Sequence, residues 1–164
     1  MNGGVGMKHT DWIKLSVRLA YENLLNKNGG PFGAVITKNG KVIGAGVNGV
    51  TTLNDPTAHA EVQAIRNACL NIGTFSLKDS ILYTSCEPCP MCLSAAYWAR
   101  ISKIYYFFSK NDAAKIGFDD DHIYNELSLP YEDRTIPSEQ IIIKVKDNEN
   151  PFMVWTNDGS RTDY

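Results

Sequence analysis

The chain is predicted to be an α/β protein, a three-layer α/β/α sandwich around a mixed central sheet. Three observations predict it. Strand-like and helical periodicities alternate in the order helix, hairpin, helix, strand, helix, strand, helix, strand. An Asn-Gly pair between two short β-rich runs supplies the one antiparallel hairpin, and the strand–helix–strand alternation after it favours parallel crossovers and a sheet covered on both faces. The length, 164 residues with 43% hydrophobic and 21% charged, suits one domain that buries its core without disulfide staples.

Each element has its own local signal. Residues 10–27 set Trp12, Leu15, Leu19 and Leu24 near helical spacing, with Thr10 or Asp11 as the cap and Gly29-Gly30 as the stop. GAVITKNG and KVIGAGVN flank Asn39-Gly40, and both turn residues tolerate positive φ. Residues 58–72 put Val62, Ile65, Cys69 and Ile72 on one helical stripe, expected to face the core. SILYTSC (80–86) reads as a buried strand, CPMCLSAAYWAR (89–100) as a helix and KIYYFF (103–108) as a strand. Residues 111–127 read as one or two short helices, and IIIKVK (141–146) as the last strand. Residues 1–9 are expected to be a flexible N-terminal segment, with Met7 a candidate start. The folded domain is then 10–149, followed by a tail at 150–164.

A formal charge of −2 and a pI near 5.9, without a basic run, argue against a partner bound through nucleic-acid phosphates. No apolar run approaches the roughly 20 residues of a membrane span, and the start lacks a signal-peptide core. A cytoplasmic protein with reduced cysteines is expected, where C-x-x-C more often means metal or redox work than a structural bridge.

Cys86, Cys89 and Cys92 offer two overlapping C-x-x-C pairs. Pro88 and Pro90 suit a helix start, which puts Cys89 and Cys92 on one face of its first turn. His59 and Glu61 open the preceding helix. His59, Cys89 and Cys92 would give zinc one nitrogen and two thiolates, leaving a fourth position for water, as in a catalytic site. The two helix N-termini would favour the thiolates by their positive ends. Glu61, two residues on, would normally point elsewhere. If His59 is still non-helical, Glu61 can reach that water without binding the metal and act as the proton shuttle. H-x-E followed by P-C-x-x-C is a known signature of zinc nucleobase deaminases, which leaves Cys86 out as a small buried residue beside the site. Cys69 reads as core, and His9 and His122 as surface residues.

With these residues assembled, the chain resembles the cytidine/deoxycytidylate deaminase superfamily, and within it the group of small bacterial guanine deaminases. GGPFGAVI (29–36), NDPTAHAEVQAIR (54–66), ILYTSCEPCPMCLSAAYWAR (81–100), DAAKIGFDDDHIY (112–124) and RTIP (134–137) carry the resemblance, with the terminal aromatic Tyr164. It implies a cytidine deaminase-like fold and one zinc per subunit on His59, Cys89 and Cys92. It also implies Glu61 as catalytic residue, substrate contacts from Phe32, Asn48, Asp120 and Tyr164, and hydrolysis of guanine to xanthine and ammonia. Homodimers that exchange the C-terminal segment are implied too, with Tyr164 closing the partner's site. The substrate is then a small purine base, with no membrane or nucleic-acid partner. The alternatives are a deaminase of guanosine, cytosine or adenosine in tRNA, a non-catalytic zinc module, and a thiol redox protein using Cys86, Cys89 and Cys92.

Overall fold

In the computed structural model, which describes residues 7–164, the predicted strands before residue 109 pair into one mixed sheet. Helix α1 (His9–Leu25) leads into the hairpin of β1 (Gly33–Lys38) and β2 (Lys41–Val47). The turn is made by Asn39 and Gly40, at φ 52° and 70°. A short helix α2 (Val50–Leu53) and α3 (Ala60–Ile72) precede β3 (Ser80–Cys86), which runs antiparallel to β1. Helix α4 (Pro90–Trp98) then crosses over to β4 (Lys103–Phe108), parallel to β3, and the strand order is β2-β1-β3-β4.

Register decides which helix covers which face. Ala34 stands opposite Gly46 and Thr84, and Ile36 opposite Gly44 and Leu82; directly paired residues share a face. That face packs with Ala60, Ala64 and Ala68 of α3 and Ala96 of α4 into one core cluster. The alternate residues face α1, where the Tyr83 ring lies 6.3 Å from that of Trp12. Absent side chains set the layer spacing. A Cβ on Gly46 would lie 2.3 Å from the Ala60 carbonyl, and one on Gly44 2.5 Å from that of Ala64. On the other face, a Cβ on Gly33 would lie 2.4 Å from the Ser16 carbonyl. The three-layer α/β/α expectation is met.

Four local expectations are corrected. Of the expected stripe of α3, Ile65, Cys69 and Ile72 are half-buried against the core cluster and Val62 is half-buried outside it, while the fully buried line is Ala60, Ala64 and Ala68. Close approach to the glycines of β2 leaves no room for larger side chains there. In α1 Trp12 is buried as expected, but the other buried positions are Ser16, Ala20 and Asn23, since Gly33 brings β1 close against Ser16 and Ala20, and Leu24 is exposed. That helix is capped at Lys8 rather than at Thr10 or Asp11: the Asp11 carboxylate accepts the Lys8 backbone N–H at 2.8 Å. Finally, residues 141–146 form no strand, and Ile141, Ile142 and Ile143 are 82%, 85% and 73% exposed. β-branched composition makes a strand only where an edge is offered to pair with, and none meets this segment among the described residues.

The chain divides into two compact units, one ending at His122 and one from Ile123 to Tyr164. The first ends with α5 (Lys110–Lys115) and the start of α6 (Asp121–Ser128). The second has no buried residue and is held by local bonds. The Glu126 carboxylate accepts from the backbone N–H and hydroxyl of Thr135, and the Asn150 side chain caps α7 (Pro151–Asn157). Of the segment expected to be flexible, residues 1–6 lie outside those described. Among the described residues no helix is long and apolar enough to cross a membrane.

Candidate active site

Two helices begin on residues that could hold a metal ion. His59 is the N-cap of α3 at φ −72°, ψ 155°, and Cys89 the N-cap of α4 at φ −65°, ψ 169°, with Pro90 the first helical residue. Both caps are extended, so each side chain projects back past the end of its helix instead of along its flank. This resolves the spacing difficulty at H-x-E: His59 is off the helix and Glu61 is on it, and both reach one region.

His59 Nδ1 lies 3.5 Å from Cys89 Sγ and 3.5 Å from Cys92 Sγ, and the three atoms all lie within 4.8 Å of one another. A tetrahedral zinc with bonds of about 2.0–2.1 Å to nitrogen and about 2.3 Å to sulfur requires an N···S edge of about 3.5 Å. The observed edges match that requirement, and one imidazole with two sulfurs is a donor set that suits zinc. The residues present therefore fit the ion. Cys86 stands outside this group, with its thiol 3.7 Å from the Ser109 carbonyl and pushed up to about 11, mainly by burial.

The electrostatics are those of a place made for a cation. The hydrogen bond from the Cys92 thiol, with His59 beside it, holds Cys89 down to about 4. The bond to Cys89 and burial push Cys92 strongly up. Two thiolates side by side repel, so without a positive ion between them only one ionises readily. The hydrogen bond with Cys89 raises His59 as well.

Glu61 is 5% exposed and sits in the first turn of α3. Its Oε1 accepts from the Thr84 hydroxyl at 3.0 Å, and its Oε2 lies 3.4 Å from Cys92 Sγ. Burial pushes the carboxyl up, against the pull of the helix-start N–H, Thr84 and Cys92.

The other expected site residues fall in different settings. Asn48 follows β2, is 6% exposed, and has its Oδ1 engaged by the backbone N–H groups of Gly30 and Val50, at 3.1 and 3.3 Å. Those two bonds fix which end of the amide is oxygen and leave Nδ2 to donate elsewhere. Asn23 of α1 donates to both the Gly30 and Asn48 carbonyls at 2.9 Å, tying the Gly-Gly-Pro loop to the end of β2. The Phe32 ring is half-buried and meets Phe118 edge-on at 4.9 Å. That contact anchors the loop carrying Asp120, whose carboxyl is raised by burial and by the nearby Cys89. Asp119, Asp120 and Asp121 are close together, and Lys110 pairs with Asp121 at 2.7 Å. Tyr164 belongs to the second unit and is 67% exposed. Of the residues expected to act together, His59, Glu61, Cys89 and Cys92 are gathered, and Asp120 is close enough to sense Cys89. Sequence reading missed Thr84 and Asn23. The available signal for Thr84 was a polar residue inside the buried run SILYTSC.

Comparison with known proteins agrees with this geometry. The sequence model of the cytidine and deoxycytidylate deaminase zinc-binding region matches residues 7–108. Guanine deaminase of Bacillus subtilis is 51% identical over 96% of this chain and 100% of its own length. The X-ray structure of guanine deaminase from Bacillus subtilis superposes with a TM-score of 0.90 at 51% identity, covering 96% of this chain and 99% of that one. A tRNA-specific adenosine deaminase of Buchnera aphidicola is 38% identical, over 65% of this chain and 70% of its own length.

Proposed function

This chain belongs to the cytidine and deoxycytidylate deaminase family, whose members bind zinc, and from that premise we propose that it hydrolyses guanine to xanthine and ammonia. One observation carries the chemistry: a His59–Cys89–Cys92 cluster with edges fit for zinc stands beside the buried carboxyl of Glu61. The choice of guanine is supported by the likeness to the Bacillus subtilis protein, which spans the chain through its C-terminal unit.

Bound zinc supplies a water whose pKa is lowered from 15.7 toward about 7. Glu61 takes the proton released as water adds at C2 of guanine, the carbon that bears the amino group. It returns that proton to the adjacent ring nitrogen. A second transfer through the same carboxyl protonates the exocyclic amine, which departs as ammonia and leaves the new C2 oxygen of xanthine. Oε2, on the Cys92 side, is the oxygen that cycles the proton. Asn48 Nδ2 donates to an acceptor edge of the base. Phe32 packs on its flat face, and Asp120 accepts hydrogens of the amino group.

The subunit organisation belongs to the same reading. The C-terminal segment is exchanged in a homodimer, so that Tyr164 closes the partner's site and the β-rich run 141–146 finds its pairing edge on a second copy. The exposure of Ile141, Ile142 and Ile143, and of Phe107 and Phe108 on the outermost strand β4, supports this. The exchanged part then takes in the run 141–146 as well as the expected tail 150–164, and the chain from residue 10 up to that run is the catalytic domain. A small-molecule purine substrate and reduced thiols suit the cytoplasm.

The deciding experiment is ammonia release with guanine, guanosine, cytosine or adenine as sole substrate. Turnover of guanine alone is the expected result. Turnover only of another base reassigns the substrate, and no release from any of them with zinc bound refutes the enzyme.

A further inference from the structure

We propose that Thr84 is a positioning residue that assigns the two oxygens of Glu61 their separate tasks. The inference rests on the deaminase reading above, but the contact that carries it is independent of the substrate. Thr84 is fully buried in β3, which is paired on both sides, by β1 and by β4. It stands opposite Ala34 in register, on the sheet face that α3 covers. From there its hydroxyl donates to Glu61 Oε1 at 3.0 Å.

The remaining residues on that face of β3 do different work. Ser80, at the start of the strand, is buried with its hydroxyl unpaired, Leu82 is core, and the Cys86 thiol turns to the Ser109 carbonyl. Ser85, on the opposite face, has its hydroxyl taken up by the Gly33 backbone N–H at 3.0 Å. Thr84 is thus the one β3 side chain with a hydrogen bond to the carboxyl among the described residues.

The physical consequence is an asymmetry within one carboxyl group. A buried carboxylate with both oxygens equivalent can rotate and can accept the proton on either. A hydroxyl anchored in a central strand removes that freedom. It donates to Oε1 whether the group is charged or protonated at Oε2, since a carbonyl oxygen accepts as a carboxylate oxygen does. Oε1 is therefore held throughout the cycle. Oε2, 3.4 Å from Cys92 Sγ and facing the ligand cluster, is the oxygen left to carry the proton. Orientation held by a rigid element keeps a proton carrier within reach of both its donor and its acceptor.

Thr84→Val tests this, because it keeps the size and β-branching and removes only the hydroxyl. The expected result is a fall in kcat of about 10- to 100-fold, the range set by a hydrogen bond to a charged group. KM for guanine should change less than twofold and zinc content not at all. Thr84→Ser should restore most of kcat. In a Glu61→Gln background, Thr84→Val should have little further effect, since the hydroxyl acts through that carboxyl. A kcat unchanged in Thr84→Val, or lowered equally with and without Glu61, overturns the proposal. If the wild-type protein fails to deaminate guanine, the function assigned above is what fails, and crystals of the variant decide the present point. A Glu61 carboxyl turned away from the cysteines in Thr84→Val, and returned in Thr84→Ser, supports it. A carboxyl that stays in place without the hydroxyl overturns it.

Discussion

Ile36 and Ile142 sit in runs of similar composition, GAVITK and IIIKVK, and both runs read as strands. Ile36 is fully buried, pinned between Gly44 and Leu82 by strands on both sides. Ile142 is 85% exposed in a unit where no residue is buried. The difference is in what each run is offered. β1 is nucleated by a two-residue turn that delivers β2 at once, whereas 141–146 follows a stretch of short helices and turns with no edge within its own unit. Propensity proposes a strand, and a neighbouring edge makes it one. The unit up to His122 holds its own core, and the unit after it buries none of its residues.

Substitutions can break this comparison or sharpen it. The greatest effect is expected at the metal cluster, because it lies wholly in the first unit. Cys92→Ala should lose zinc by elemental analysis and bring ammonia release below detection. Retained stoichiometric zinc would show that the cluster is not the metal site. Glu61→Gln should keep its zinc and lose about 10²–10⁴-fold in turnover, as expected when a proton carrier is removed. Normal turnover would remove Glu61 from the mechanism.

In the second unit the expected effect is on assembly. Ile142→Asp should convert a dimer to a monomer in sedimentation velocity and leave the zinc in place. An unchanged mass would mean that the exposed run is not what joins two copies. Gly46→Ala returns to the first unit and should lower stability by about 1–3 kcal/mol in denaturant unfolding, since the new methyl meets the Ala60 carbonyl. The smallest effect is the control. Leu70, on the outer side of α3, is 79% exposed, and Leu70→Ser should alter stability by no more than about 0.5 kcal/mol. Leu70 and Ile142 are similarly exposed in one chain, so different outcomes at the two would separate true surface from surface awaiting a cover.

Much of this was legible in the sequence, and the reasons are local. Asn39-Gly40 marks a hairpin because its two residues accept positive φ, and Pro88 and Pro90 mark the start of α4 because proline suits a first turn. His59, Glu61, Cys89 and Cys92 were legible as a set, since helix starts place the side chains of their caps. The stripes of α1 and α3 read from bulk run beside the most deeply buried line, because counting hydrophobic residues rewards size and, Trp12 apart, the residues facing Gly33, Gly44 and Gly46 have to be small. Thr84 and Asn23 escaped because a hydrogen bond between distant segments leaves no periodic trace. Ile141 to Ile143 were read correctly for composition and wrongly for pairing, which no run of residues specifies by itself.

The meeting of Gly44 and Gly46 with the carbonyls of Ala64 and Ala60 has one more consequence. The helix that delivers His59 and Glu61 rests on its strand backbone to backbone, with no compressible side chain as a cushion. A thickened layer at Ala60, Ala64 or Ala68 would tilt the imidazole and the carboxyl away from the sulfurs together. Efforts to make this protein sturdier by filling its interior would therefore detune its reactive centre, and variants selected for heat tolerance should avoid that seam.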